Sequence, residues 1–240
     1  GGTSINRQIS ALRSQTNIVI GTPGRLIDLT RSRLLNLNLF QNIVLDEVDR
    51  MVDIGFIKDV KYLISLLPNT RQSLFFSATV SGEIQGIINS FSREPVIISV
   101  KTAETAQNVE QDVIFVTSKE EKLTKLNNLL HQEEFKKVII FGRTKWTVER
   151  LARTLQDFGF QVESIHGNKT QNQRLRALSM FKQDRLQVLV ATDIAARGLD
   201  IDNITHVINF DEPTNYTDYV HRIGRTGRAN KTGKALTFVS

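Results

Sequence analysis

The chain of 240 residues contains no cysteine. Disulfides, thiolate metal sites and cysteine nucleophiles are thereby excluded. Its four histidines, His131, His166, His206 and His221, are scattered, so a histidine metal cluster is not expected. Any metal should be a hard, oxygen-bound ion such as Mg²⁺. With four prolines and one tryptophan there is no proline-rich linker and no aromatic repeat. No apolar run approaches the ~18 residues that span a bilayer, and no signal-peptide pattern opens the chain, which leaves a non-membrane, cytoplasmic protein as the expectation. A phosphate-cradling GxxxxGK[ST] loop is also lacking.

What is there reads as α/β. Short β-rich apolar runs at residues 17–21, 42–46, 73–77, 95–100, 112–117, 137–141, 161–165, 187–191, 205–209 and 235–239 alternate with helix-length amphipathic segments at 57–67, 82–91, 119–132, 145–158 and 172–182. That rhythm predicts parallel sheets in two successive domains. The polar, aperiodic stretch "SVKTAETAQNVEQ" separates them, placing a first domain at 1–102, a linker at 103–108 and a second domain at 109–240. The formal charge of +6 suits an anionic partner such as nucleic acid.

The segment "NIVLDEVDR" runs from apolar residues into Asp46, Glu47 and Asp49. Ligands of open parallel sheets bind beyond the carboxyl ends of strands, where Asp46 and Glu47 fall. Carboxylates there can hold Mg²⁺ through water and orient or deprotonate an attacking water. The alternative is a solvated turn or helix start. "LFFSATVS" ends another strand on Ser77 and Thr79, placed to hydrogen-bond Asp49 or simply to cap a helix. Positive charge appears in "YVHRIGRTGRANKTGK", where Arg222, Arg225 and Arg228 recur every three residues. That spacing predicts neighbouring positions on one helix face, and guanidinium forks suit phosphate oxygens; a solvated basic face is the alternative. Further polar strand ends deliver Arg143 and Thr144, and Thr192, Asp193, Arg197, Gly198 and Asp200. "GTPGRLIDL" sets Thr22, Pro23, Gly24 and Arg25 at a strand-to-helix turn that favours a phosphate.

In this order the stretches resemble the DEAD-box family of ATP-dependent RNA helicases over nearly the whole chain. "DEVD" resembles the Mg²⁺ and water-activating motif, "SAT" the interdomain coupling motif and "HRIGRTGR" the arginine-finger motif. The "GG" that opens the chain, "TPGR", "FGRT", "HGNKTQNQR" and "ATDIAARGLD" resemble RNA-contacting and domain-coupling motifs. The resemblance implies two RecA-like domains that close over ATP and Mg²⁺ with RNA across both. It implies Asp46 as the Mg²⁺-linked acid, Glu47 as general base, Asp49, Ser77 and Thr79 in coupling, and Gly198 and Asp200 at the nucleotide. Arg225 and Arg228 would be the fingers, while His221 and Arg222 would tie the second domain to the acids of the first. Gly2, Thr22, Pro23, Gly24, Arg25, Arg143, Thr144, Gly167, Gln171, Arg174 and Thr192 would hold RNA phosphates and sugars without reading bases.

Two departures stand out. Val48 occupies the position of the family's alanine, where a packing adjustment is expected. The missing GxxxxGK[ST] loop belongs, by the resemblance, ahead of the opening "GG"; the nearest approach, "GRANKTGKA" at 227–235, has one residue too many and an alanine in place of the hydroxyl. The first domain is therefore expected to be incomplete. A nonenzymatic RNA-binding clamp is the alternative for these residues.

Overall fold

The computed structural model describes residues 4–14, 16–92, 94–99, 108–196, 199, 201–227 and 232–239. The chain divides into two compact units, Gly1–Ser99 and Val100–Ser240. Residues 103–107 of the expected linker lie outside the described part.

The first unit runs α1 (Ile5–Leu12), α2 (Pro23–Arg31), β1 (Asn42–Leu45), α3 (Val48–Asp53), α4 (Ile57–Ser65), β2 (Gln72–Phe75) and α5 (Gly82–Phe91). β1 and β2 pair in parallel, Asn42 opposite Gln72 and Leu45 opposite Phe75. One side of the pair is packed: Leu45 joins Val48, Val60, Ile64, Ile84 and Ile88 in a small core. Val48 thus packs as expected of its apolar side chain. Residues 17–21 and 95–99, expected as strands, belong to no strand among the described residues, and residue 100, the last of the second expected run, lies outside them. A strand is completed by its ladder partner, and these runs have none among the described residues, where Ile20 is 94% exposed.

The second unit is a larger α/β layer structure. Its order is β3 (Val109–Phe115), α6 (Lys119–Leu130), β4 (Val138–Phe141), α7 (Lys145–Asp157), β5 (Val162–Ile165), α8 (Gln171–Lys182), β6 (Val188–Ala191), α9 (Asp193–Ala196), β7 (His206–Asn209), α10 (Tyr216–Ile223) and β8 (Gly233–Val239). The six strands form one parallel sheet in the order β3-β8-β7-β4-β6-β5. Because side chains alternate along a strand, the sheet feeds two cores. Val138 and Ile140 of β4 pack with Leu126 and Leu130 of α6 and Val148, Leu151 and Leu155 of α7. Ile139 and Phe141 pack on the other face with Ala177 and Phe181 of α8 and Ile223 of α10. Among the described residues no helix is long and apolar enough to cross a membrane.

Candidate functional site

In the first unit, hydrogen bonds carry the pairing past the ends of the strands. Phe76 N–H donates to Leu45 C=O at 2.8 Å and Val48 N–H to Phe76 C=O at 3.1 Å. The two strand ends therefore leave the sheet together. Glu47 sits between them in the left-handed region, φ 53° and ψ 50°, a conformation uncommon for a residue with a side chain. It starts α3 without capping it by its carboxylate, and both Asp46 and Glu47 are exposed. Asp46 Oδ1 accepts the Glu47 N–H at 2.9 Å, which fixes the acid against its own turn.

Asp49 faces the other way and is buried. Its Oδ2 accepts the Thr79 N–H at 3.2 Å and the Thr79 hydroxyl at 3.3 Å, while its own N–H donates to Ser77 Oγ at 3.2 Å. Ser77 Oγ in turn donates to Thr79 C=O at 2.6 Å. The hydroxyls after β2 and the third acid after β1 are thus joined as their spacing suggested. Earlier in the first unit, Thr22 precedes α2, Pro23 is its first residue, and the Thr22 hydroxyl does not cap the helix. The first backbone N–H groups of α2 are left without intrahelical partners, as at any helix start. Arg25 Nη1 donates to Gln8 Oε1 at 2.5 Å.

In the second unit the ladder also continues beyond the strands: Gly142 N–H donates to Ala191 C=O, Thr192 N–H to Ile165 C=O and Phe210 N–H to Phe141 C=O. The ends of β7, β4, β6 and β5 are therefore held level. Arg143 and Thr144 follow β4, Gly167 follows β5 and precedes Gln171 and Arg174 in α8, and Thr192 follows β6. These expected RNA-contact residues share one carboxyl edge. Thr144 caps α7 by accepting the Thr147 N–H at 3.0 Å. Arg174 Nε is buried with no hydrogen-bond partner among the described residues.

Glu149 of α7 organises this edge, a role its sequence position did not announce. Its Oε2 accepts from Ser164 Oγ at 2.7 Å, lies 3.0 Å from His166 Nε2 and 3.0 Å from Lys169 Nζ. His166 Nδ1 accepts the Asn168 N–H at 3.3 Å, which assigns the ring proton to Nε2 and makes the histidine the donor to Glu149. The hydrogen bond from His166, with those from Ser164 and Lys169, brings the Glu149 carboxyl down to about 2. On an amphipathic helix a glutamate beside the buried Val148 looks like an ordinary solvated charge, so nothing in the spacing separates it from its neighbours.

The arginine motif departs from expectation. α10 ends at Ile223 and Gly224 follows it, so Arg222 lies in the helix but Arg225 lies in the turn beyond, and the two do not share a helix face. Arg222 is 2% exposed. Its Nε and Nη2 donate to the two oxygens of Asp193 at 2.6 and 2.9 Å, and its Nη1 to Asn209 Oδ1 at 3.1 Å and Asp211 C=O at 2.7 Å. The guanidinium also stacks 5.2 Å from the centre of Phe141. Arg222 is engaged inside the second unit, with all four of these hydrogen bonds made to residues 193, 209 and 211. A buried guanidinium must satisfy its donors locally, and a paired Asp193 at the adjoining strand end does so. Asn209, a polar residue that ends β7 and is fully buried there, is the one sequence signal of this web.

Arg225 is half-buried, its Nε donating to His221 C=O at 3.3 Å and its Nη1 to Leu199 C=O at 3.0 Å. His221 Nδ1 is buried without a hydrogen-bond partner among the described residues. Gly2, Gly198, Asp200 and Arg228 lie outside the described residues. No group of three or more histidine or acidic side chains that could cage a metal occurs among the described residues. The donor set at Asp46 instead suits Mg²⁺, which takes one or two carboxylates and completes its shell with water and phosphate oxygens.

Two family models match, the DEAD/DEAH box helicase over residues 1–87 and the helicase conserved C-terminal domain over 121–230. The chain is 46% identical over its full length to the DEAD-box ATP-dependent RNA helicase CshA of Bacillus subtilis, and covers 49% of that protein. It thus spans about half the length of the curated relatives it matches. Among solved structures, Saccharomyces cerevisiae Dbp5 bound to RNA and ADP BeF3 matches at a TM-score of 0.80 and 30% identity, over 94% of this chain and 61% of that one. A hypothetical ATP-dependent RNA helicase from Sulfolobus tokodaii matches at a TM-score of 0.53 and 33% identity, over 100% of this chain and 69% of that one. With both helicase models matched in succession and 46% identity to a DEAD-box helicase over its full length, the chain belongs to the DEAD-box helicase family.

Proposed function

We propose that these residues are the working part of an ATP-dependent RNA helicase, which separates short duplexes or remodels RNA–protein complexes by ATP-linked closure of its domains. The observation that carries the reading is the turn after β1. It exposes two carboxylates, Asp46 and Glu47, and locks the third, Asp49, onto Ser77 and Thr79. Asp46 would hold Mg²⁺ through water, and Glu47 would take the proton of the attacking water. Bound Mg²⁺ supplies neutralisation of charge on the phosphate oxygens. Arg225 would present its guanidinium to the transferred phosphoryl group, with Arg228 as its companion. RNA would lie along Thr22, Pro23, Gly24 and Arg25 of the first unit and Arg143, Thr144, Gly167, Gln171, Arg174 and Thr192 of the second. Helix starts and level strand ends offer N–H groups and hydroxyls to phosphates and sugars, so binding should be indifferent to sequence.

The lack of GxxxxGK[ST] in the 240 residues favours a second reading for them alone, an RNA clamp without turnover. A chimera decides between the two: residues 1–240 flanked by the unmatched portions of the Bacillus subtilis relative. RNA-stimulated phosphate release is expected from the chimera and not from residues 1–240 alone. Glu47→Gln should lower the release by about 10²–10⁴, the range of general-base catalysis, while RNA retention with ATP persists. Undiminished turnover by the chimera carrying Glu47→Gln removes Glu47 from the base role.

A further inference from the structure

Trp146 is the only tryptophan of the chain and is 72% exposed. It does not belong to the core stripe of α7, which consists of Val148, Leu151, Ala152 and Leu155. A large aromatic left in solvent away from the packed face is characteristic of a contact surface. Lys145 Nζ lies 5.6 Å from the centre of the indole, over one face of the ring. Arg150, one helical turn on, shares the side of the helix that carries Trp146. All but Lys145 line a groove of about 810 Å³, a volume suited to a nucleotide.

The rest of the groove says which part of a nucleotide enters. Phe210 and Phe238 lie within it, but Lys122 Nζ already covers both rings, at 4.6 and 5.6 Å from their centres. Asp211 and Glu212 also line it, and Asp211 is anchored by accepting the Arg143 N–H at 2.8 Å. Lys122 interacts with both acids and so balances part of that side, which leaves Arg143, Lys145 and Arg150 as the stronger attraction for phosphates. An uncharged base suits the space between the two charged sides, against the largely exposed indole of Trp146.

We infer that Trp146 is a stacking platform for one base of a single-stranded nucleic acid whose phosphates run along Arg143 and the start of α7. The inference rests on the RNA reading above and adds to it a base contact that phosphate and sugar binding does not provide. Stacking is tolerant of base identity because every base has a π-face, so it adds affinity without a sequence code.

The single tryptophan makes its emission a reporter of this site alone. The 240-residue chain is titrated with oligoadenylate and with an abasic ribose-phosphate strand of equal length, following both tryptophan emission and the anisotropy of end-labelled strands. Oligoadenylate is expected to quench the emission saturably, and the abasic strand to bind without comparable quenching. Trp146→Ala should weaken oligoadenylate binding by about 5- to 150-fold, the range for loss of one stacked base, and leave the abasic strand unaffected. Trp146→Phe should keep most of the affinity, and carries the test if the alanine variant does not fold. Equal losses for both strands, or an unchanged Trp146→Ala affinity, overturn the platform. Binding of both strands with flat emission also overturns it, as expected if a protein partner uses Trp146, and leaves the RNA reading intact. Binding of neither strand overturns both.

Discussion

β1 and β4 begin from nearly the same instruction and end in different surroundings. "NIVL" and "VIIF" are both short apolar parallel strands followed by polar, functional residues. In β4, flanked by β7 and β6, Ile140 is 0% exposed; in β1, whose described neighbour is β2 alone, Val44 is 57% exposed. A hydrophobic run states what a strand can bury, and the neighbours decide what it does bury. The same contrast extends to charge. The first unit displays Asp46 and Glu47 on an exposed turn held by backbone geometry, whereas the second encloses Arg222 in a web of four hydrogen bonds.

The sharpest test concerns the two arginines of one motif. Arg225→Lys in the chimera should reduce phosphate release by ~10³–10⁵, because a point charge does not replace the fork at the transferred group. Its structural cost should be small, about 1 kcal/mol for a lost hydrogen bond. Parental turnover by this variant would make Arg225 as structural as Arg222. Arg222→Ala should do the reverse and destabilise the second unit by about 3–5 kcal/mol, since it leaves Asp193 without its partner at a largely buried site. Asp46→Asn, on the exposed turn, should change denaturant stability by no more than about 0.5 kcal/mol. Equal losses from the two would erase the contrast between enclosed and displayed charge.

A third pair probes the strands. Ile140→Ala should cost about 2–5 kcal/mol in chemical denaturation, the usual range for a filled core site. Val44→Ala should cost less than about 1 kcal/mol, because little apolar surface is withdrawn from water there. The smallest effect is one of pH. Glu149 has its pKa lowered from 4.5 to about 2 in the folded unit, so its contribution is complete above the unfolded value. It should be lost as pH falls from about 4.5 to about 2. Denaturant midpoints across that interval should fall more steeply for the parent than for Glu149→Gln, and parallel curves would show that the Ser164, His166 and Lys169 contacts do not act through the charge.

Local signals served well where they were self-sufficient. α5 spans the residues its periodicity marks, because Ser81 caps it by accepting the Ile84 N–H and the apolar Ile84, Ile87 and Ile88 fall on one face. Asp49 and Thr79 meet because both follow paired strand ends, which the βα rhythm already implied. Residues 17–21 and 95–99 carry strand composition, but composition does not supply a partner. α3 and α10 are too short for periodicity to mark. Arg222 was legible as a functional arginine but not as a buried one, since its three partners come from positions 193, 209 and 211 and meet only when β6 and β7 are both in the sheet.

The order of the larger sheet carries a consequence for synthesis. β3 is the first strand of its unit to be made, yet its one neighbour among the described residues is β8, the last. At ordinary ribosomal rates roughly ten seconds separate the two, during which β3 has no ladder to join. An apolar strand left waiting would invite pairing with another nascent chain. β3 instead carries Glu110, Gln111 and Asp112 in its first half, charge of the kind that disfavours such pairing, and Lys234 of β8 binds both acids, at 3.1 and 3.2 Å. β8 therefore enters between β3 and β7 as a keystone, and the described sheet closes only when β8 has been translated.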